Sequence, residues 1–190
     1  MNRRDAISRV ALLLGGTVIG SDLFLQFGCT PKAEKINNLF DADQLKILDE
    51  IAETILPQTT TPGAKAAKVG QFMTVMVQDC YNKEDQEVFV KGISKLDDAS
   101  NKKFGKKFLE ASAEQRKDFL NELDKEQKEF GSTKKPEEPN HYFRMMKELT
   151  LLGFFTSEIG ATKVLRYNPV PGKYEGCIPY KKGDRAWASN

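Results

Sequence analysis

The chain has 190 residues, 39% hydrophobic and 29% charged, which at about 150 residues per domain suits one compact domain plus an extension and argues against a two-domain enzyme with its own large cofactor fold. Its 29 Lys and Arg nearly match its 27 Asp and Glu, so no broad basic surface remains for nucleic acid. One His and three Cys are too few ligands for a haem, an iron–sulfur cluster or an all-protein zinc site.

Residues 1–28 read as an export signal. Arg3, Arg4 and Arg9 precede an apolar, Gly-containing run from Val10 to Gly20, the charged-then-apolar layout of a targeting segment. The run is well short of the ~20 apolar residues that a membrane-crossing helix needs. Arg3-Arg4-Asp5-Ala6-Ile7 resembles the twin-arginine export motif, with Ala6 where an aromatic residue is commonest; the general secretory route is the other reading. Cys29 follows Leu25-Gln26-Phe27-Gly28 and resembles a bacterial lipoprotein cleavage site, from which Gln26 departs. That resemblance implies a diacylglyceryl group on the Cys29 thiol and a protein held at a membrane by hydrocarbon chains. A plain signal peptide cut nearby leaves Cys29 an ordinary thiol. After removal of residues 1–28, 26 cations face 25 anions, so the mature chain is essentially neutral. Cys80 and Cys177 then form an even pair in a compartment that permits disulfides, although two free thiols fit the same count.

Residues 29–38 form a polar tether, and residues 39–190 a single helical domain. Asp41, with Gln44 three residues on, has the spacing that satisfies the free N–H groups of a helix start. Leu45, Leu48, Ile51, Ala52 and Ile55 follow at helical intervals, and Pro57 stops the helix. Gln58 to Ala64 is a turn built on Pro62-Gly63, and a second helix is predicted from Val69 to Cys80. A third spans Asp85 to Ala99, with Val88, Phe89, Gly92, Ile93 and Leu96 at three- and four-residue intervals. A lysine-rich connection follows, in which Phe104 and Phe108 need a dry face. Ser112 and Gln115 repeat the capping pattern before a helix that turns Phe119, Leu120 and Leu123 inward. Gly131 to Asn140 reads as a loop, and His141 to Phe155 as a helix apolar nearly all round, either central to the core or covered by another subunit. No segment alternates with period two for long. The predicted fold is all-α, an irregular bundle of about five to six helices.

From about residue 161 the texture changes. Pro169, Pro171 and Pro179 join Gly172, Gly176 and Gly183, with Tyr167, Tyr174, Tyr180 and the only Trp, Trp187. An extended arm of this kind has no core of its own and must lie either on its own helices or on a partner, and aromatic residues are enriched at interface centres.

The catalytic inventory is thin. The sequence lacks a Gly-x-Gly-x-x-Gly fingerprint and a Cys-x-x-Cys-His haem attachment. His141 reads as a packed or capping side chain, Ser157-Glu158 as helix-end hydrogen bonding without a base beside the Ser, and Met145-Met146 as adaptable packing. No catalytic, cofactor-binding or metal-binding residue is assigned.

The segment ILPQTTTPGAKAAKVGQFM and the late block LTLLGFFTSEIGATKVLRYNPVPGKYEG, behind an export signal, resemble the small third subunit of gluconate 2-dehydrogenase complexes over roughly Leu39 to Gly176. The specific parts are Pro57 with Thr61-Pro62-Gly63-Ala64, then Thr156-Ser157-Glu158 and Tyr167 through Gly176. The resemblance implies a non-catalytic accessory subunit. Its partner is then a periplasmic flavoprotein dehydrogenase of the glucose–methanol–choline class that carries the FAD, with a cytochrome c subunit bearing haem in some complexes. The interface is expected at Phe155, Thr156, Ser157, Tyr167, Pro171, Gly172, Tyr174 and Gly176. The other function class open to this sequence is a stand-alone envelope lipoprotein that binds a ligand or scaffolds a complex.

Overall fold

The computed structural model describes residues 35–170, 172–173 and 176–188. Arg3, Arg4, Cys29, Pro171 and Tyr174 lie outside the described residues. Five α-helices make up the body: α1 Ala42–Ile55, α2 Val69–Cys80, α3 Lys83–Phe104, α4 Ala113–Thr133 and α5 Tyr142–Phe155. A 3-10 turn, Phe108–Glu110, lies between α3 and α4, and a π-helical turn, Gly160–Val164, follows α5. The described residues contain no strand beyond two isolated bridges; the fold is all-α, as the periodicity predicts.

The helix starts follow from local chemistry. Asp41 accepts from the Asp43 and Gln44 backbone N–H groups at 3.0 and 2.8 Å while the Gln44 side chain accepts from Asp41 N–H at 3.1 Å, and Ser112 with Gln115 builds the same reciprocal cap on α4. Each such cap is worth about 1 kcal/mol. At α2 the cap residue, Lys68, has a left-handed backbone (φ 55°) and no side-chain cap bond. The missing acceptor comes from α1: the Asp49 carboxylate takes the Gly70 N–H, and Gly70 is buried against Asp49. Burial raises the Asp49 pKa, and the Gly70 bond pulls it back down. The other end of α2 is closed by Gln86 of α3, whose amide donates to the carbonyls of Val77, Gln78 and Tyr81 at 3.0–3.1 Å.

α5 is the centre of the body and packs on all four other helices. Tyr142, Phe143, Met145, Met146, Leu149 and Phe154 are buried there, against Leu48 and Ile51 of α1, Met73 of α2 and Phe89 of α3. Phe40, just before α1, meets the Phe89 ring edge-on at 6.0 Å. The close helix approaches need missing side chains: a Cβ at Gly92 of α3 would fall 2.5 Å from Cγ of Tyr142, and one at Gly153 of α5 would fall 2.5 Å from Cδ1 of Phe72.

Several boundaries differ from the sequence expectation, and α3 already starts two residues early, at Lys83, behind the Asn82 cap. α3 runs five residues beyond Ala99, to Phe104, because Gly105 adopts φ 67° and its N–H closes the helix on the Asn101 carbonyl at 2.8 Å. α4 extends through Gly131, Ser132 and Thr133, where the two hydroxyls bond back to the Glu129 carbonyl at 2.7 and 3.3 Å. The helical body continues through Gly160–Val164, so extended chain starts at Leu165. Phe108 is fully buried, and Phe104 packs edge-on to Phe119 at 6.1 Å.

Candidate partner interface

The segment between α1 and α2 is held by one carboxylate. Glu53 accepts from the Gln58 and Lys65 backbone N–H groups, each at 2.8 Å, and Ala64 N–H bonds the Leu56 carbonyl at 2.9 Å. Gly63 faces this knot so closely that a Cβ would lie 2.5 Å from the Gln58 nitrogen. The Thr61-Pro62-Gly63-Ala64 stretch is therefore a folded turn whose residues serve the backbone. Beside it, Glu50 pairs with Lys65 and, at 2.8 Å, with Arg116 of α4. This carboxylate joins three parts of the body, and the Arg116 Nε–H is buried without a hydrogen-bond partner.

On α4, Asp124 receives Lys128 at 2.8 Å and Lys147 of α5 at 2.5 Å. Hydrogen bonds from these two lysines hold its carboxyl down at about 2. His141 caps α5, its Nδ1 accepting from Phe143 N–H at 3.3 Å, and its ring lies 4.4 Å from that of Tyr142. Burial lowers the His141 pKa against the pull of Glu126, and burial pushes the Tyr142 hydroxyl up to about 12. Beside His141, a groove between α3 and α4 has a volume of about 810 Å³ and is lined by apolar Phe119, Leu123 and Phe130 and by charged Lys95, Glu122, Glu126 and Glu138. Among the described residues no cluster of three His, Cys, Asp or Glu is placed to hold a metal ion, and no helix is long and apolar enough to cross a membrane.

The sequence-predicted interface residues that are described fall into two groups. Phe155, Thr156 and Ser157 sit together at the end of α5. Phe155 is exposed beside Leu151 and Leu152, Thr156 N–H and Oγ1 both donate to the Leu152 carbonyl, and Ser157 Oγ donates to Phe154 O at 2.6 Å while accepting from Gly160 N–H at 3.0 Å. Thr156 and Ser157 thus shape the helix end, and Phe155 is the member that offers surface. Tyr167, Gly172 and Gly176 lie on the arm and are exposed. Gly172 has φ 60°, a left-handed turn that suits glycine. The described arm residues are exposed from Tyr167 through Trp187, with Tyr167 at 54%, Val170 at 77% and Tyr180 at 75%. None of these described arm residues is buried against the helical body. Cys80 and Cys177 are exposed and unjoined.

Sequence reading missed several residues of this surface. The all-round apolar pattern of α5 leaves core and interface undivided; the structure divides them, with most of the helix buried and Leu151 and Leu152 on an edge that faces outward. Arg166 was missed, and Trp187, singled out as an aromatic residue of the arm, was not paired with it. Arg166 exchanges backbone bonds with Ala186 and Ala188 at 2.8 Å, its guanidinium lies 4.6 Å from the Trp187 ring, its Nε donates to Arg185 O at 2.7 Å, and Arg185 donates to Lys163 O at 2.7 Å. Nothing periodic marks a contact between residues 21 apart.

The family model described as gluconate 2-dehydrogenase subunit 3 matches residues 42–172. No curated protein and no solved structure matches the chain. The family match takes in the whole described helical body and the first part of the arm, and the chain belongs to the gluconate 2-dehydrogenase subunit 3 family.

Proposed function

We propose that this family member is the small, non-catalytic subunit that binds and stabilises a periplasmic FAD-dependent sugar or polyol dehydrogenase of the glucose–methanol–choline type. The observation that carries the reading is the surface left open on a well-packed chain: Leu151, Leu152 and Phe155 at the end of the most buried helix, followed by an arm on which Tyr167, Val170 and Tyr180 are exposed. Burying large apolar and aromatic side chains is what gives a protein interface most of its affinity, and side chains left in water here are available for that use. The flavin and the base that abstracts the substrate proton belong to the large subunit, and a cytochrome c subunit passes the electrons on in complexes that contain one.

The segment before the body completes the reading. Residues 1–28 direct export, and Arg3 and Arg4 allow twin-arginine delivery of a partner already folded around its flavin. Acylated Cys29 and the tether to residue 38 then hold the complex at the membrane, where anchoring one subunit raises the effective concentration of the others.

Native purification tests the core of this. A yellow flavoprotein is expected to co-elute with the wild-type chain and to be lost when Leu152 and Phe155 are both changed to Ser, with the helical melting transition retained. A colourless chain eluting alone overturns the reading. Changing Arg3 and Arg4 to Lys should strand the flavoprotein in the cytoplasm; continued periplasmic delivery refutes the escort role.

A further inference from the structure

The chain just before α1 is fastened to α2. Asn37 Nδ2 donates to the Thr74 carbonyl at 3.0 Å, and Asn38 N–H donates to Gln78 Oε1 at 3.0 Å. The same Asn37 side chain closes a tight turn, its Oδ1 accepting from Leu39 and Phe40 N–H at 2.9 Å each, while Ile36 N–H returns to the Phe40 carbonyl at 2.9 Å. Phe40 then enters the core, 2% exposed. The sequence expectation runs the tether through residue 38, whereas the fastened turn already holds Ile36, and a bridge joins Lys35 to Asp41. Six peptide links therefore separate Cys29 from the body at Lys35. At about 3.6 Å per residue they reach at most about 22 Å.

We infer that residues 35–38 and the outer face of α2 form the membrane-facing side of the body, and that the surface they meet is the lipid bilayer. The inference rests on the reading of Cys29 as an acylated anchor, and it adds which face that anchor turns toward the membrane. Two lengths decide the orientation. A domain of the size of residues 35–188 has a radius of gyration of about 15 Å and so a diameter of about 38 Å. The reach of about 22 Å from the anchor is shorter than that, so the fastened turn is never carried to the pole farthest from the bilayer. The exposed residues of this side accept the position. Ile36 and Val75 are apolar and exposed at 39% and 50%. Lys35 and Asn38 flank Ile36, and Gln71 and Asp79 stand one turn on either side of Val75, all of them exposed. One cation and one anion nearly cancel, so charge neither draws this side to an anionic bilayer nor repels it from one. The tether alone sets the orientation. α4 packs on α1 and α5 rather than on α2, and it lies toward the side that faces away from lipid.

The test uses the full-length acylated subunit in phosphatidylcholine vesicles that carry a fluorescence acceptor on the lipid headgroup. Acylation consumes the Cys29 thiol, so a maleimide donor dye reports only from the sites chosen. One donor goes on Cys80, exposed at the end of α2 two residues past Gln78, in a chain with Cys177→Ser. The other goes on Lys125→Cys, at an exposed position of α4, with Cys80→Ser and Cys177→Ser. Energy transfer to the lipid from Cys80 should exceed that from position 125 by about twofold or more, because the two heights above the headgroups differ by a large part of the body's diameter. Inserting about 20 Gly and Ser residues after Glu34 should remove the difference, since a flexible linker of that length lets the body turn over. Equal transfer from the two sites in the chain without the insertion overturns this inference alone, as does a difference that the insertion leaves unchanged. A Cys29 that still reacts with maleimide, or a chain that stays out of the vesicles, overturns the anchor reading and this one with it.

Discussion

A single methyl group at Gly92 tests the packing of α3 on α5. In an ordinary helix interior, replacing Gly with Ala stabilises by up to about 1 kcal/mol, because Gly loses more backbone freedom on folding. At Gly92 the added Cβ would meet Cγ of the buried Tyr142 at 2.5 Å, where carbon atoms normally rest about 3.5–4.0 Å apart. Tyr142 has little freedom to give way, since its ring is stacked against His141 and its side chain belongs to the core. The helices must part by about 1 Å, and overpacking of this kind costs roughly 1–3 kcal/mol or more, which exceeds the propensity gain. Gly92→Ala is therefore expected to destabilise by about 1–3 kcal/mol, lowering Tm by about 2–4 °C for each kcal/mol in a chain of this size. Gly131, in the last turn of α4, is the control: a Cβ there meets nothing nearer than an Arg144 nitrogen at 3.7 Å, so Gly131→Ala should stabilise by about 0.4–1 kcal/mol. Chemical denaturation of both variants followed by circular dichroism gives the comparison. If Gly92→Ala stabilises as Gly131→Ala does, the close approach of α3 to α5 is wrong.

Gln86→Ala removes the amide that serves three carbonyls at the α2 terminus; a loss of about 1–2 kcal/mol in denaturant titration is expected, and Gln86→Glu, which has no donor to offer them, should not restore it. Asp124 supplies the pH dependence. Its carboxyl is held at about 2 when folded against an ordinary value near 3.8, so its contribution is present above pH ~3.8 and is lost as pH falls toward ~2. With Lys128 largely in solvent, that contribution is about 1 kcal/mol. Asp124→Asn should therefore narrow the acid-induced loss of Tm between pH 4 and 2 by a corresponding few degrees, and an unchanged acid transition refutes the pairing with Lys147 and Lys128.

Helix starts were legible because their chemistry is local. Asp41 with Gln44, and Ser112 with Gln115, mark helix N-termini within four residues, and Pro57 marks a limit just past Ile55. The bounds of α2 also follow from its apolar spacing. Composition misled at the ends. The run of lysines after Ala99 reads as a solvated connector, but lysines at a helix C-terminus complement its dipole, and Lys102 and Lys103 sit in the last turn of α3 just before Gly105. That signal, Lys followed by Gly, was present and was outweighed by charge density. The cap supplied to α2 by Asp49 and the clasp of Arg166 on Trp187 were not legible at all. Both join residues far apart in sequence through a few specific contacts, and neither leaves a period.

α5 joins two properties that proteins usually keep apart. Its Leu151, Leu152 and Phe155 side chains meet water, yet the backbone that carries them belongs to the element every other helix leans on, with Gly153 pressed to the Phe72 ring. Amides in most solvent-facing segments exchange with deuterium through small local openings. The amides from Leu151 to Phe155 lack that route, because freeing them separates α2 from α5 and opens the core. Their exchange should follow global unfolding, giving a surface with the protection of an interior.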